Sequence, residues 1–341
     1  MSWLILLCQI LFVSPEAGLV QETLVRLEKS EPHMGTRFQI TVFAPNQELG
    51  KKAMEQAFAR IAHLNTLLSD YLPDSELMKL CAQAGKGPIL ISSELFLVLE
   101  HSQKLARQSE GAFDCTVGPY SVLWRRARKS LLLPDTSELA NARSKVGYSH
   151  LSLDSKAKTA QLLLPGMRLD LGGIAKGFAA DEALLVLKSH GLSRSLVAAG
   201  GDVVCGDSPP GKAGWDIGLI ELPGDLGFKR HFVLANGAVS TSGDLEQFVE
   251  IKGQRFAHIL NPKTGLGMTS RQSATVVAKR GIDSDGLTKV LLLAPLETAK
   301  TVMESVPGTS ARLVTPLDPA FPSRGATVQT MGEFPRLERK P

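Results

Sequence analysis

The alternation of apolar and polar positions divides the chain into readable pieces. Phe38, Ile40 and Val42 alternate with polar neighbours across Arg37–Ala44, the period of a half-buried strand. Met54, Ala57, Phe58, Ile61, Leu64 and Leu68 then recur at helical spacing. Ser92 or Ser93 can cap a further helix to about Ser109, with Leu95, Phe96, Leu99 and Leu105 on its buried face. Residues 130–150 read as a connector and 151–164 as a hairpin. The stretch Leu169–Asp181, LDLGGIAKGFAAD, passes from alternation through Gly172–Gly173 into a helix that ends at His190–Gly191, where glycine suits the C-terminal cap. Strands dominate beyond it: Ser195–Ala199, about 215–221, 231–235, 238–241 and Ser273–Ala278. Phe248–Ile251 and Arg255–Ile259 are joined by Lys252–Gly253, a two-residue turn with glycine where a hairpin prefers it. The second of these strands delivers His258 to the turn-rich loop 261–265. A helix starting at Asp283–Ser284–Asp285 runs to Leu293, another covers about 296–304, and strands follow at 311–315 and near 326–334. Helices and strands intermix without strict alternation, which predicts an α+β fold of mixed antiparallel sheets rather than a doubly wound one.

Composition narrows the function classes. A chain of 341 residues suits one large domain or two packed lobes, and a net charge of +4 is too mild to argue for nucleic acid. The densest basic run, Trp124–Lys129, reads as a solvated helix face. The four cysteines, Cys8, Cys81, Cys115 and Cys205, are scattered, with neither a C-x-x-C pair nor metal-site spacing. Trp3–Val13 is an apolar run of signal-peptide length, too short to span a bilayer. No basic residue precedes it, Pro15–Glu16–Ala17 is a poor cleavage site, and Leu7 is large for a lipidation signal at Cys8. The expected organisation is a signal-like or anchor segment at 1–18, a polar lead-in at 19–30, one domain at 31–335 and a polar tail at 336–341.

Taken alone, the candidate residues carry modest signals. The turn at 172–177 offers backbone N–H groups at a helix start, where a phosphate can sit, yet it lacks the Lys and Ser/Thr of a P-loop. Tyr71 is one of three tyrosines and stands in a polar turn, which suits either stacking or an ordinary loop aromatic. His258 at a strand end, Asp285 at a helix start, and Asp114 and Asp170 in turns each have a structural reading beside the chemical one.

Eight segments, in order, resemble one family: the FAD:protein FMN transferases, or ApbE flavin transferases. They are HMGT (33–36), LSDYLPDSEL (68–77), GAFDCTVGPYSVLW (111–124), LDLGGIAKGFAAD (169–181), AAGGDV (198–203), AVSTSGDLEQF (238–248), HILNPKTG (258–265) and SDGL (284–287). The resemblance covers roughly residues 31–315. It implies two closely packed lobes with FAD in the cleft between them. The implied reaction is Mg²⁺-dependent: FMN passes from FAD to a threonine hydroxyl of an exported acceptor protein and AMP is released. The implied setting is the periplasm or cell envelope, with membrane association through the N-terminus.

By the same resemblance His258 takes the proton from the attacking threonine, as befits a side chain that titrates near neutrality. Met34 and Tyr71 flank the ring systems. Ala112, Phe113, Asp114 and Asp170 hydrogen-bond the nucleotide, Lys176 holds the phosphate region, and His258 and Ile259 complete the FAD contacts. Asp285 and the Gly173 carbonyl are the expected metal ligands. The chain departs from the family pattern where a threonine usually stands four residues beyond the metal-binding Asp: that place holds Lys289, with Thr288 at three. Either Thr288 replaces the hydroxyl, or the Lys289 ammonium approaches the pyrophosphate as a point charge. Both predict weaker Mg²⁺ binding than in relatives with threonine there. Two other functions stay open on the sequence: an FAD pyrophosphatase releasing FMN and AMP, and a flavin carrier without metal chemistry.

Overall fold

The computed structural model describes residues 23–219, 229–244, 248–318, 321 and 324–340. The signal-like segment 1–18 lies outside the described residues. The chain runs β1 (Val25–His33), β2 (Thr36–Ala44), α1 (Gln47–Leu68), α2 (Glu76–Ala82), β3 (Ile89–Leu90), α3 (Ser93–Gln108), α4 (Gly118–Ser130) and α5 (Thr136–Arg143). The hairpin β4 (Leu151–Asp154) and β5 (Thr159–Leu162) precedes α6 (Ala175–Ser189). Then come β6 (Ser195–Ala199), β7 (Asp202–Cys205), β8 (Trp215–Leu219), β9 (Lys229–Leu234), β10 (Gly237–Gly243), β11 (Phe248–Ile251), β12 (Gln254–Ala257) and β13 (Ser273–Ala278). The chain continues through α7 (Gly281–Leu293), α8 (Leu296–Glu304), β14 (Ser310–Pro316), β15 (Ala326–Met331) and β16 (Glu338–Lys340).

An eight-stranded antiparallel sheet in the order β1-β2-β6-β7-β10-β13-β14-β15 is the frame. Side chains alternate across it, so both faces can bury apolar groups. Phe38, Ile40, Val42, Val197, Val204, Ala274 and Val276 face the main core, which α1, α6 and α7 complete. Phe43, Leu196, Cys205, Val239 and Val277 face the other way, onto Trp215, Ile217 and Phe232 of the small sheet β16-β9-β8. A third cluster packs Trp124 and Ala127 of α4 against Ile251 and Phe256 of the β11–β12 hairpin. The α+β class and the antiparallel pairing match the expectation.

Several boundaries move. The lead-in is not structureless: β1 starts at Val25 and pairs with β2 over nine residues, its polar side chains suiting an edge strand. The polar tail likewise adds β16, paired with β9. A short helix, α2, sits at the end of the 68–77 segment, with Ser75 accepting from the Met78 N–H. The connector contains α5, held by a capping box between Asp135 and Glu138. Helix α7 starts at Gly281, before the Asp283 expected to begin it, because the Asp181 carboxylate accepts from the Gly281 and Ile282 N–H groups at 2.6 and 3.0 Å. Asp285 therefore stands in the second turn, not at the helix start.

Candidate functional site

A cleft of about 440 Å³ opens among the start of α6, the turn between β6 and β7, β8, β10, the loop after β12, α4 and α7. Tyr71, Ala112, Phe113, Asp114, Asp170, Gly173, Lys176, His258, Ile259 and Lys289 all line it. Met34, Thr288 and Asp285 are not in its lining. Met34 occupies the β1–β2 turn and packs against the main core, so contact with a ring system in the cleft is not part of its geometry here.

The rim near α4 is built from an arginine between two acids. Arg125 ion-pairs with Asp70, lies 3.7 Å from Asp170, and stacks its guanidinium 3.7 Å above the centre of the Tyr71 ring. Asp170 is fixed by Ser121 Oγ at 2.5 Å and by the Gly172 N–H at 2.8 Å. Burial and the neighbouring negative charge of Asp170 push the Asp70 carboxyl up to about 6, against the pull of Arg125. The basic run is thus not simply a solvated helix face. Trp124 and Ala127 are buried, Arg125 enters the cleft, and Arg126 pairs with Glu138 outside it. Arg125 and Asp70 were missed in the sequence because their pairing spans 55 residues and leaves no local pattern.

The segment expected to hold the nucleotide is strongly committed to itself. Asp114 accepts from the Thr116 N–H and hydroxyl at 2.8 and 2.7 Å and from the Tyr148 N–H at 2.9 Å. Its carboxylate therefore ties the 111–117 loop to residues 147–148, and burial raises its pKa despite these bonds. The Ala112 and Phe113 N–H groups donate to the Ser109 carbonyl and hydroxyl, both at 3.0 Å. Those two donors are engaged within the loop itself. The turn at 172–177 behaves similarly: the N–H groups of Gly172, Ile174, Ala175 and Gly177 go to Asp170, Leu171, Leu171 and Asp285. The helix start is a less open phosphate cradle than its glycines imply.

Below it sits a cluster of two acids and two lysines. Lys176 Nζ donates to the Gly172 carbonyl at 3.2 Å and lies 3.2 Å from Asp202 and 3.3 Å from Asp285. Burial alone would lower its pKa, but Asp202 and Asp285 outweigh that and hold it above the ordinary lysine range. Asp285 is fully buried. One of its oxygens pairs with Lys289, and the other receives Lys176 and the Gly177 N–H at 3.1 Å. Burial alone would raise this carboxyl, yet the two ammonium groups bring it down to about 2. Asp202 is shifted the opposite way, by burial and then by the charge of Asp285. AAGGDV (198–203) is one of the resembling segments, but no role for Asp202 follows from the sequence.

The Mg²⁺ implied by the resemblance does not fit this donor set. Both Asp285 oxygens already face ammonium groups, and an ammonium has no lone pair to give a metal. Lys289, included in the expected metal set, is instead a cation seated on the expected ligand. Thr288 is buried: its hydroxyl bonds to Ser242 Oγ at 2.8 Å and donates to the Asp285 carbonyl at 2.7 Å, so it does not stand in for a metal-facing hydroxyl. Among the described residues, no group of three or more His, Cys, Asp or Glu is placed to hold a metal ion.

On the remaining side, β12 ends at Ala257, one residue before His258. The cross-bonds Ala257 N to Met268 O and Met268 N to Ile259 O, both 2.8 Å, hold the main chain on either side of it. His258 is exposed and Ile259 buried. The arrangement offers an imidazole at the rim, half-buried positive groups facing the same cleft, and an aromatic face at the mouth.

The ApbE family model matches residues 34–313. A curated relative from Treponema pallidum (strain Nichols), an FAD:protein FMN transferase, is 31% identical over 306 residues and covers 84% of each chain. The Haemophilus influenzae FAD:protein FMN transferase is 31% identical over 303 residues, covering 84% of this chain and 86% of its own. Among solved structures, the flavin transferase ApbE from Vibrio cholerae superposes with a TM-score of 0.77 at 26% identity, over 90% of this chain and 97% of that one. The ApbE protein from Thermotoga maritima gives the same score, identity and coverage.

Proposed function

Because this chain belongs to the ApbE family, we propose that it transfers FMN from FAD to a threonine hydroxyl of an acceptor protein. The threonine oxygen attacks the phosphorus on the FMN side of the pyrophosphate. The P–O bond to AMP breaks, AMP leaves with that bond's electron pair, and FMN remains esterified to the threonine. His258 takes the hydroxyl proton as the new bond forms, and passes it to solvent or to the leaving phosphate. Its exposed place on the cleft rim, where an acceptor loop can reach it, is the observation that carries this reading. Tyr71, backed by Arg125, offers a face for one of the ring systems.

The donor set around Asp285 does not fit the Mg²⁺ of the family reaction, and the residues named above act without it. The proposal extends to location: the acceptor is an exported protein and the enzyme works in the periplasm or at the cell envelope, a reading that the apolar run Trp3–Val13 supports. Among the described residues no helix is long and apolar enough to cross a membrane. His258→Ala is expected to bind FAD with unchanged affinity while transfer falls by roughly 10²–10⁴-fold, the usual loss on removing a general base. Transfer at the wild-type rate would return His258 to a structural role.

A further inference from the structure

We propose that Lys289 replaces the divalent cation, so that this protein binds and activates the FAD pyrophosphate without Mg²⁺. The inference rests on the flavin-transfer reading above and concerns the charge at its centre. Asp202 and Asp285 face Lys176 and Lys289, two negative groups against two positive ones. Without Lys289 the cluster would carry one net negative charge in a buried place, a natural sink for a cation. With Lys289 it is balanced, and entry of a divalent ion would leave it with two uncompensated positive charges. A metal could reach Asp285 only by evicting an ammonium that holds both the carboxylate and the main-chain carbonyl of that residue, the latter at 3.0 Å.

The two lysines are not equivalent. An ammonium has three N–H donors. Lys176 has three oxygen partners within the protein, at 3.2, 3.2 and 3.3 Å. Lys289 has two, both on Asp285, so one N–H stays uncommitted. Its side chain is 12% exposed and lines the cleft, whereas Asp285 beneath it is fully buried. The stem also passes Gly173: a Cβ added there would lie 3.6 and 3.7 Å from Lys289 Cε and Cδ. Lys289 therefore presents a fixed positive charge and a free donor on the cleft side of Asp285. A pyrophosphate oxygen is the chemistry that such a group recognises. Lys176 also lines the cleft, but its three donors are taken within the protein, and it braces the Asp285 carboxylate that holds Lys289.

The test is FAD binding to protein freed of divalent ions with EDTA, followed by flavin fluorescence with and without added MgCl₂. Direct calorimetric titration of MgCl₂ into the FAD-free protein accompanies it. Wild type is expected to bind FAD with the same affinity in both conditions, within about twofold, and to show no Mg²⁺ heat. Lys289→Thr should lose at least about tenfold in affinity in EDTA and recover it with MgCl₂, since removing the ammonium reopens the carboxylate. Lys289→Arg, which keeps the charge, should stay indifferent to MgCl₂, and it protects the test against a fold defect in the threonine variant. A tenfold loss of wild-type affinity on chelation, or a Lys289→Thr variant that binds as wild type does in EDTA, would overturn the proposal while leaving the flavin reading intact. If wild type binds no FAD in either condition, the flavin reading itself fails, and the proposal with it.

Discussion

Tyr71 is 70% exposed, yet its ring is not idle, because Arg125 is stacked on one face and anchored behind by Asp70. A ring held in this way keeps its other face available at little entropic cost to a flat ligand. Tyr71→Ala is expected to weaken FAD binding by about 1–3 kcal/mol, by analogy with the loss of base–aromatic stacking, while leaving urea stability almost unchanged. Equal FAD affinity in a fluorescence titration would make Tyr71 an ordinary loop residue. At this scale the sequence was informative where residues sat in compact motifs. Tyr71, Asp170, Lys176, His258 and Lys289 were all singled out, and all reach one cleft. Arg125, Asp70 and Asp202 escaped because each matters only through a partner far along the chain. Asp114 was seen, but its bonds turn out to organise its own loop.

The elements α6 and α7 meet so closely that their backbones almost touch. A Cβ on Gly177 would fall 2.1 Å from the Gly281 carbonyl oxygen, and one on Gly281 would fall 2.4 Å from that of Gly177. No side-chain rotation can relieve a clash with backbone, so Gly177→Ala must push the helices apart. The expected cost is about 1–3 kcal/mol, as for an overpacked core, read from the urea midpoint. FAD affinity should fall too, since Asp285 and Lys289 ride on α7. A variant as stable as wild type would show that the helices separate freely. Helix α6 itself was legible, because its apolar spacing is local. So was its end: Gly191 at φ +77° brings the Leu192 N–H onto the Leu187 carbonyl at 3.0 Å. The start of α7 was not, because its cap is Asp181, 100 residues earlier. Strands β1 and β16 escaped for a related reason: their sequences are polar, and pairing with β2 and β9 is what makes them strands.

Across the whole molecule the buried acids set how stability depends on pH. Burial pushes the Asp181 carboxyl up to about 6, and burial with Asp170 does the same at Asp70. A raised carboxyl pKa means that the folded state holds its proton where the unfolded chain has released it. Stability contributed by these two groups is therefore highest below about pH 4, declines through pH 4–6, and levels off above. Asp283 works in the opposite sense: burial would raise it, but His101 and Arg280 bring it down to about 2, so its contribution is lost as pH falls from about 4 towards 2. The protein is expected to be most stable near pH 4 in urea titrations. Asp181→Asn, whose amide oxygen still accepts at the α7 start, should reduce the decline between pH 4 and 6 by up to about 3 kcal/mol. An unaltered profile would show that Asp181 is ionised throughout that range. The α+β class was readable in the intermixed periodicities, but the layering was not, since it depends on which strands pair across the sheet.

On the proposed function the cleft joins FMN to protein, and does not merely hold or hydrolyse FAD. The most direct measurement is the intact mass of a threonine-bearing envelope flavoprotein subunit, prepared without its flavin and incubated with this protein and FAD, with AMP quantified in the same reaction. One FMN esterified to the threonine is expected for each AMP released, and no adduct when that threonine is replaced by alanine. Free FMN and AMP beside an unmodified subunit, or FAD left unchanged, would contradict the proposed function.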